Sequence, residues 1–265
     1  MKNLKEKYGD WALVTGASSG IGEEFAHQLA AQGIHLVLVA RRIDRLETLA
    51  KSLSSQYHIT VKAVQADLSS DNFMEVITSA TESLDIGILV NNAGMNCEGH
   101  FYRGTLDRNV QMMRLNMEAP FILTYHYLKG MTERKRGAIL FTASTSSFSA
   151  HPYLSHYGAT KAYILSLAES LNYEYKDSGI DVLALCPGPT ESEMTSKVKG
   201  NPIMMKAAPV VSAALEGLGK TSSVIPGAFN KATVFANKYF FSRELGRNLN
   251  AAMLKKFLPG VKPKN

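Results

Sequence analysis

Cysteine is nearly absent from this chain of 265 residues, which contains Cys97 and Cys186 and no other. The two lie far apart in sequence, and neither belongs to a CxxC motif or to a cluster of cysteine and histidine. This pattern excludes a disulfide framework and a cysteine-ligated metal site, so no metal is expected. The low cysteine content is typical of a reducing compartment.

Long hydrophobic runs are also missing. The N-terminus, MKNLKEKYGD, is charged from Lys2 onward and lacks the apolar stretch of a secretory signal peptide. No segment approaches the run of about eighteen apolar residues that a membrane-spanning helix needs. We therefore expect a soluble protein of the cytoplasm.

The sequence has no internal repeat, low-complexity tract or Pro- or Gly-rich linker that would divide it, so we expect a single domain over residues 1–265. Hydrophobic residues make up 45% of the chain, enough for one sizeable core. The net charge of +6 favours anionic ligands, but the basic residues are spread along the chain. A phosphate-rich cofactor is therefore expected as a ligand, and nucleic acid is not.

Short apolar segments alternate with longer amphipathic ones over the first two-thirds of the chain. Strand-like segments lie at 11–15, 35–40, 61–65, 87–91, 137–142 and 180–185, and helical periodicity occurs at 20–32, 43–55, 70–84, 107–134 and 155–177. Nearly continuous apolar strands separated by helices are typical of a buried parallel sheet. The predicted fold class is α/β, a doubly wound, mostly parallel Rossmann-type sheet with helices on both faces. Ligands of such a sheet bind outside the carboxyl ends of its strands.

The last third of the chain is less regular. Residues 189–226 contain several Pro, Gly and Met residues and one modest helical run near 206–217, which is typical of a substrate loop or lid. Residues 230–257 are predicted to form a helical C-terminal extension.

That extension carries a stripe of apolar residues, one every four positions. Its members are Phe241, Leu245, Leu249, Met253 and Phe257, and the basic residues around them are Arg243, Arg247, Lys255 and Lys256. Packing of the stripe over a substrate cleft or against another subunit is the favoured interpretation. Association with a membrane surface is the alternative.

A glycine-rich turn, TGASSGIG at residues 15–22, follows the first strand and opens the first helix. Gly16, Gly20 and Gly22 let the backbone turn sharply and approach a pyrophosphate, which the helix N-terminus attracts through its N–H groups and dipole. The spacing is GxxxGxG, not the general GxGxxG, and such a turn can be purely structural. Its position at the first βα turn favours dinucleotide binding.

Two arginines end the second strand, nineteen residues past Gly22. An NAD site would place an acidic residue here for the ribose 2′-hydroxyl, whereas Arg41 and Arg42 suit a 2′-phosphate. A solvated loop is the alternative interpretation. The pair therefore favours NADP(H).

A third motif, Tyr157 followed by Lys161, lies on the helix after the fifth strand, and Ser144 stands thirteen residues before Tyr157 at that strand's end. Residues four apart share one helix face. A free tyrosine, with a pKa of about 10, is a poor base at neutral pH, and a nearby ammonium group lowers that pKa. YxxxK alone is common on amphipathic helices, so its weight comes from the accompanying serine and glycine turn.

Together these motifs resemble the short-chain dehydrogenase/reductase family, over roughly residues 8–190. The matching residues are Thr15, Gly16, Gly20, Gly22, Asp67, 91–94, Asn116, Ser144, Tyr157, Lys161, Pro187 and Gly188. Two segments, residues 9–15 at the first strand and 39–42 at the end of the second, look most similar to the steroid dehydrogenase and 3-ketoacyl reductase branch. The resemblance implies an NADP(H)-dependent interconversion of a carbonyl and a secondary alcohol, on a lipophilic, steroid-like or acyl substrate.

The resemblance also implies a role for each site residue. Tyr157 would be the general acid and base, Ser144 would hydrogen-bond the same substrate oxygen, and Lys161 would hold the nicotinamide ribose and lower the pKa of Tyr157. Asn116 would anchor a water that links Lys161 to solvent. The implied coenzyme contacts are Gly16, Ser18, Ser19, Gly20, Ile21, Gly22, Arg41, Arg42, Asp67, Leu68, Asn92, Ala93, Gly94, Tyr157, Lys161, Pro187, Gly188 and Thr190.

Several of these residues have simpler explanations. Asn116 could be an ordinary polar helix residue, and Asp67 could cap the next helix. Asn91 is expected to be structural, satisfying backbone between strands. Thr145, Ser146 and Ser147 compete with Ser144, and His151 and His156 are interpreted as ordinary loop and helix residues.

The substrate is the least determined part of the prediction. Candidate pocket residues are Met95, Phe148, Tyr153, Met194, Met204 and Met205. The resemblance implies a homodimer or homotetramer, paired through the helices that contain Asn116 and Tyr157. Two rivals are a nucleotide-sensing protein that has lost its chemistry and an extended epimerase or dehydratase, although the retained Tyr157 and Lys161 and the first-turn spacing disfavour them.

Overall fold

A computed structural model describes residues 4–195 and 204–257 of the chain. In this part, seven strands form one parallel sheet in the order β3-β2-β1-β4-β5-β6-β7. The strands are β1 Trp11–Thr15, β2 His35–Ala40, β3 Val61–Gln65, β4 Ile86–Asn91, β5 Gly137–Thr142, β6 Ile180–Leu185 and β7 Ser223–Val224. The chain order reverses between β1 and β4, which is the switch point where doubly wound sheets bind ligands. The predicted fold class is confirmed.

Helices cover both faces of this sheet. They are α1 Leu4–Tyr8, α2 Gly20–Ala30, α3 Ile43–Tyr57, α4 Phe73–Thr81, α5 Leu106–Met113, α6 Ala119–Arg134, α7 Ser155–Tyr175, α8 Ala207–Gly217, α9 Ala228–Tyr239 and α10 Arg243–Phe257. None of the helices within these described ranges is long and apolar enough to cross a membrane.

The core has two layers because successive strand residues point to opposite faces of the sheet. Val14 packs in the layer that α2 and α8 cover, with Phe25 and Val211, whereas Leu13 packs in the other layer, with Ile164 of α7. These side chains are almost fully inaccessible to solvent. Burial of β-branched and leucine side chains on both faces therefore explains why the strands are continuous apolar runs.

The helix predicted over 107–134 is interrupted by a π-helical turn, Arg114–Glu118, between α5 and α6. Pro120 stands in the first turn of α6 and has no N–H to donate to the carbonyl four residues earlier. The widened turn instead closes through the N–H of Ala119 and the carbonyl of Arg114. Asn116 lies in this turn, and such turns often occur at functional sites.

The C-terminal extension is two helices and not one. Residues 240–242 between α9 and α10 are not helical. Asn250 and Leu254 are the buried residues of α10, whereas Leu245 and Leu249 of the predicted stripe are each 46% exposed. Asn250 donates to Ser149 Oγ and to the Ala150 carbonyl, both at 3.0 Å. The side chain of Phe257 lies outside the described part of the chain, as does 196–203, the middle of the predicted substrate loop.

Candidate active site

A cavity of about 670 Å³ opens at the carboxyl ends of the central strands. Its size is that of a small-molecule site. Ser144, Tyr157 and Lys161 line it, and so do most of the predicted coenzyme residues. The latter are Gly16, Ser18, Ser19, Ile21, Arg41, Arg42, Asp67, Leu68, Asn92, Ala93, Gly94, Pro187, Gly188 and Thr190. The sequence motifs, dispersed over 175 positions from Gly16 to Thr190, therefore meet at one place.

The glycine turn forms one end of the cavity and packs too closely against its surroundings for side chains at its glycines. Gly16 has a φ of +66°, and a Cβ there would lie 2.9 Å from the Cα of Ala93. Gly22 does not line the cavity; a Cβ at this position would lie 2.3 Å from the carbonyl oxygen of Gly16. Gly20 does not line it either, and its φ is +61°. Gly20 and Gly22 thus shape the turn, and their direct contact with the coenzyme stays a prediction.

The helix that follows can accept an anion. Ser19 is the N-cap residue of α2 and makes no capping hydrogen bond through its side chain. The first-turn N–H groups of α2 are therefore available to a ligand, at the positive end of the helix dipole. Together with the glycine turn, this geometry fits the pyrophosphate of a dinucleotide.

Hydrogen bonds tie the start of the turn, at Thr15, to the residues that follow the neighbouring strand β4. Asn92 donates through Nδ2 to the carbonyl of Thr15, at 3.0 Å, and accepts from Thr142 Oγ1 at 3.2 Å. Thr15 Oγ1 accepts from the N–H groups of Asn92 and Ala93. Asn91 is structural, as expected, although its Nδ2 donates to Thr124 Oγ1 on α6 and not to strand backbone.

Basic side chains line the cavity beyond the second strand. Arg42 Nη2 donates to Ser18 Oγ at 2.8 Å and to Ser19 Oγ at 3.3 Å, and its Nη1 lies 2.6 Å from a carboxylate oxygen of Glu193. Arg45, on α3, pairs with the other oxygen of Glu193. Sequence reasoning missed Glu193 and Arg45, since no local pattern links residues about 150 positions apart.

Asp67 follows β3 and accepts hydrogen bonds from the Ser69 N–H at 2.9 Å and from Ser69 Oγ at 2.6 Å. Burial alone would raise the pKa of Asp67, but these bonds and the charge of Arg41 outweigh it and lower the pKa. The residue does not cap α4, whose N-cap position is Asn72. An ionised Asp67 therefore stands in the cavity close to Arg41.

Lys161 is 4% exposed and donates from Nζ to the carbonyl of Thr142 at 2.7 Å. Burial lowers its pKa to about 8, although the nearby Cys186 acts in the opposite direction. A Cβ on Gly94 would lie 3.4 Å from Nζ, so the glycine leaves space in front of the amine. The amine is thus buried at the edge of the cavity, and no carboxylate within residues 4–195 and 204–257 pairs with it.

Tyr157 lies one helical turn before Lys161, with Nζ 5.8 Å from the centre of its ring. Burial raises the pKa of Tyr157, and the hydrogen bond with Ser144 lowers it by less. In the coenzyme-free chain the Lys161 amine donates to the Thr142 carbonyl, and its effect on the pKa of Tyr157 stays a prediction. Tyr157 holds its proton at neutral pH.

The choice among the four hydroxyl residues after β5 is clear from their contacts. Ser144 reaches Tyr157 and caps the 3₁₀ turn Thr145–Phe148. Ser147 Oγ donates to the backbone carbonyl of Lys161 at 2.8 Å, which uses its proton. Thr145 and Ser146 line the cavity, but neither of them hydrogen-bonds Tyr157.

Asn116 is 1% exposed and is fully engaged. Its Oδ1 accepts from the Met95 N–H at 3.0 Å, and its Nδ2 donates to the Met95 carbonyl at 2.9 Å and to Thr160 Oγ1 at 3.0 Å. It does not line the cavity. Asn116 joins the segment that follows β4 to α7, the helix that carries Tyr157.

Three of the six predicted substrate residues, Met95, Met194 and Met204, line the cavity. Phe148 packs in the core instead, Tyr153 packs against Leu254, and Met205 packs against the core with its sulfur 3.5 Å from Asn230 Nδ2. Lining residues that the sequence did not suggest include Asn96, Glu98, Arg108, His151, Leu154 and Leu254. Met253, a member of the apolar stripe expected over a substrate cleft, also lines the cavity.

His151 reaches the cavity and His156 does not. Burial lowers the pKa of His151, while its bond to the carbonyl of Ser149 at 2.8 Å acts the other way. His151 is therefore neutral at physiological pH. His156 lies 3.0 Å from Asn109 Oδ1.

These features define a nicotinamide-dependent oxidoreductase site on a doubly wound sheet. A family model described as short chain dehydrogenase matches residues 10–202. A 7β-hydroxysteroid dehydrogenase of Mediterraneibacter gnavus is 35% identical over 239 residues, which cover 87% of this chain and 91% of that protein. The chain therefore belongs to the short-chain dehydrogenase family, whose members bind a nicotinamide cofactor and act on hydroxyl groups.

Solved structures agree with this assignment. A structure from a study of 7β-hydroxysteroid dehydrogenase stereoselectivity superposes with a TM-score of 0.89 and 32% identity, and the match covers 94% of this chain and 100% of that one. A short-chain dehydrogenase from Sphingobium yanoikuyae in complex with NADPH has a TM-score of 0.76 and 35% identity, with coverages of 82% and 86%.

Proposed function

We propose that this protein is an NADP(H)-dependent oxidoreductase that interconverts a carbonyl and a secondary alcohol on a bulky lipophilic substrate. One observation carries the proposal. Tyr157, which forms a hydrogen bond with Ser144, lines the same cavity as Lys161 and the arginines at 41 and 42. Such a cavity combines a proton donor with sites for phosphate and for an apolar molecule.

The reaction follows from these groups. When bound, the coenzyme donates a hydride to the carbonyl carbon or accepts one from the alcohol carbon. In reduction, Tyr157 gives its phenolic proton to the substrate oxygen, and in oxidation its phenolate takes the hydroxyl proton. Ser144 donates a hydrogen bond to the same oxygen and holds it close to Tyr157, which makes proton transfer efficient.

Lys161 and Asn116 support the proton transfer. The Lys161 amine, with a pKa of about 8, lies where it can hold the nicotinamide ribose hydroxyls and favour the phenolate of Tyr157. Asn116 fixes Met95 and Thr160, and so orders the wall between α7 and the chain after β4. A water held beside Asn116 would connect Lys161 to solvent.

The coenzyme is assigned as NADP(H) because Arg41 and Arg42 both line the cavity at the strand end where an NAD site would carry a carboxylate. The relative from Sphingobium yanoikuyae with bound NADPH supports the same choice.

Replacing Arg41 with Ala should weaken NADPH binding by about ten- to a hundredfold, as expected for loss of a charge-assisted hydrogen bond. NADH binding should change by less than about threefold, since NADH lacks the 2′-phosphate. Dissociation constants of the two coenzymes, measured by fluorescence titration, check this. Equal losses for both would contradict the assignment.

The substrate is proposed to be a hydroxysteroid, with long acyl compounds as the alternative class. The cavity has apolar lining residues, and flexible methionines suit a broad apolar surface. They are Met95, Met194, Met204, Leu154, Met253 and Leu254. The similarity to 7β-hydroxysteroid dehydrogenases supports the steroid.

A substrate panel tests this choice through NADPH absorbance. Keto- and hydroxysteroids should give the highest kcat/KM, followed by acyl thioesters, with quinones and small ketones lower. A preference for small ketones would contradict a steroid-sized site.

We also propose a homodimer or homotetramer, in the cytoplasm. Leu106 and Tyr125, on α5 and α6, are 76% and 77% exposed, and Phe121 beside Tyr125 is 47% exposed. An apolar surface of this kind suits a two-fold interface with a second copy. Light scattering should give a multiple of the 29.0 kDa chain mass, and Tyr125→Glu should give a smaller species. A monomeric wild type would exclude this assembly.

The proposed location in the cytoplasm is supported by the cysteines. Both cysteines are free thiols, which fits a reducing compartment.

A further inference from the structure

A carboxylate from a distant segment stands beside the coenzyme arginines. Glu193 opens a short 3₁₀ turn, Glu193–Thr195, and lines the cavity. One of its oxygens lies 2.6 Å from Arg42 Nη1, and the other pairs with Arg45. A single carboxylate therefore bridges two guanidinium groups at the place where the proposed function puts the 2′-phosphate.

The turn that presents Glu193 is held by several hydrogen bonds. Thr195 Oγ1 donates to the carbonyl of Thr190 at 2.7 Å, and it accepts from the N–H of Ser192 at 3.1 Å. Ser192 in turn lies against the glycine turn, since a Cβ on Gly20 would stand 3.0 Å from the Cβ of Ser192. The backbone at Glu193 is therefore held close to the coenzyme end of the cavity, while its side chain, 49% exposed, can change rotamer.

The negative charge of Glu193 affects binding of a coenzyme that carries a 2′-phosphate. The hydrogen bonds from Arg45 and Arg42 lower the pKa of Glu193, so the residue is ionised at neutral pH. A 2′-phosphate carries about two negative charges and seeks the same guanidinium donors. The two anions cannot both occupy Arg42 without repulsion, whereas a ribose 2′-hydroxyl needs no such exchange.

We propose that Glu193 is a specificity-determining residue: its carboxylate holds Arg42 in place of the 2′-phosphate, opposes NADP(H) binding and withdraws from Arg42 when that phosphate arrives. NAD(H) has no 2′-phosphate to compete with Glu193. Glu193 therefore reduces the preference of the site for NADP(H) over NAD(H). The inference rests on the proposed function, because it needs Arg41 and Arg42 to be the phosphate site.

The test is a comparison of NADPH and NADH dissociation constants for Glu193→Gln, by fluorescence titration at low and at high salt. NADPH should bind about three- to tenfold more tightly at low salt, since one exposed ion pair no longer has to be broken and one repulsion is lost. NADH should change by less than about twofold. The gain should shrink at high salt because exposed charges are screened.

The matched control is Glu191→Gln, which removes the same charge two residues away. Glu191 is exposed and does not line the cavity. This variant should leave both constants nearly unchanged. An equal gain in Glu191→Gln would overturn the proposal, because a general change of potential would then explain the effect. Weaker binding of both coenzymes to Glu193→Gln would also overturn it, by assigning Glu193 to the stability of the turn.

A double-mutant cycle separates this inference from the proposed function. In an Arg42→Gln background, Glu193→Gln should no longer strengthen NADPH binding, because the competition acts through Arg42. If Arg42→Gln and Arg41→Ala weaken NADPH selectively but Glu193→Gln does nothing, the inference fails and the coenzyme assignment stands. If both arginine variants weaken NADPH and NADH equally, the assignment fails and the inference fails with it.

Discussion

Tyr157→Phe should lower kcat/KM about a thousandfold or more, with coenzyme binding nearly intact. The change removes a single oxygen, and with it the proton that the substrate oxygen receives, while the ring stays in its place on α7. General acid–base groups contribute about a hundred- to ten-thousandfold to a rate. Steady-state turnover and NADPH titration measure the two quantities separately.

The control for this variant is Tyr163→Phe, the same change on the same helix. Tyr163 is 37% exposed and does not line the cavity, so its activity should match that of the wild type. Unchanged turnover in Tyr157→Phe would exclude Tyr157 as the proton donor and contradict the proposed mechanism. A wild type that binds NADPH without turnover would instead favour a nucleotide-binding protein without chemistry.

The pH dependence of the wild type follows from the same residue. Burial raises the pKa of Tyr157 above its usual value despite the bond to Ser144, so the acid form persists through neutral pH. Carbonyl reduction needs that acid form, and its rate should stay flat through neutral pH and fall at alkaline pH. Alcohol oxidation needs the phenolate and should rise over the same range. Initial rates in both directions check the opposite signs.

Lys161→Met should stabilise the chain at neutral pH by about 2 kcal/mol and abolish turnover. Burial lowers the pKa of Lys161 from 10.5 to about 8, which corresponds to a penalty of about 3 kcal/mol for the buried ammonium. Loss of the hydrogen bond to the Thr142 carbonyl cancels about 1 kcal/mol of the gain.

The sign of this effect can be checked against pH. The penalty is fully present below pH 8 and disappears as pH rises toward 10.5, because the folded chain then holds a neutral amine while the unfolded chain remains protonated. Denaturant unfolding of the coenzyme-free protein at neutral and alkaline pH should therefore show the gap between variant and wild type closing.

Lys176→Met, near the end of the same helix, is the matched control. Lys176 is exposed, and its replacement should change the free energy of unfolding by less than about 0.5 kcal/mol at either pH. Two results would contradict the prediction: a Lys161→Met variant less stable than the wild type, or a difference in free energy of unfolding that stays constant with pH. Either would show that burial of the Lys161 ammonium does not destabilise the folded chain. The expected result is a trade of stability for function at one residue.

The sequence determined most of the fold because its signals are local. Each of the predicted strands is a short run of apolar residues, such as 35–40, which can be recognised without the rest of the chain. The glycine turn needs particular residue types at particular positions. The order of motifs along the chain then placed Ser144, Tyr157 and Arg41 at one edge of the sheet. The two-residue strand β7 and the π turn at Asn116 were missed, since neither is long enough to give a period.

Tertiary structure decided the features that depend on distant groups meeting. The pKa of Tyr157 is set by burial and by the hydrogen bond with Ser144, and no spacing in YxxxK encodes either. The contact of Glu193 with Arg42 joins residues 151 positions apart, and the exposed stripe of α10 depends on which face Asn250 and Leu254 bury. Sequence by itself thus specified which groups are available at the site, whereas their charge states and partners follow from solvent exclusion and distance, which exist only once the chain is folded.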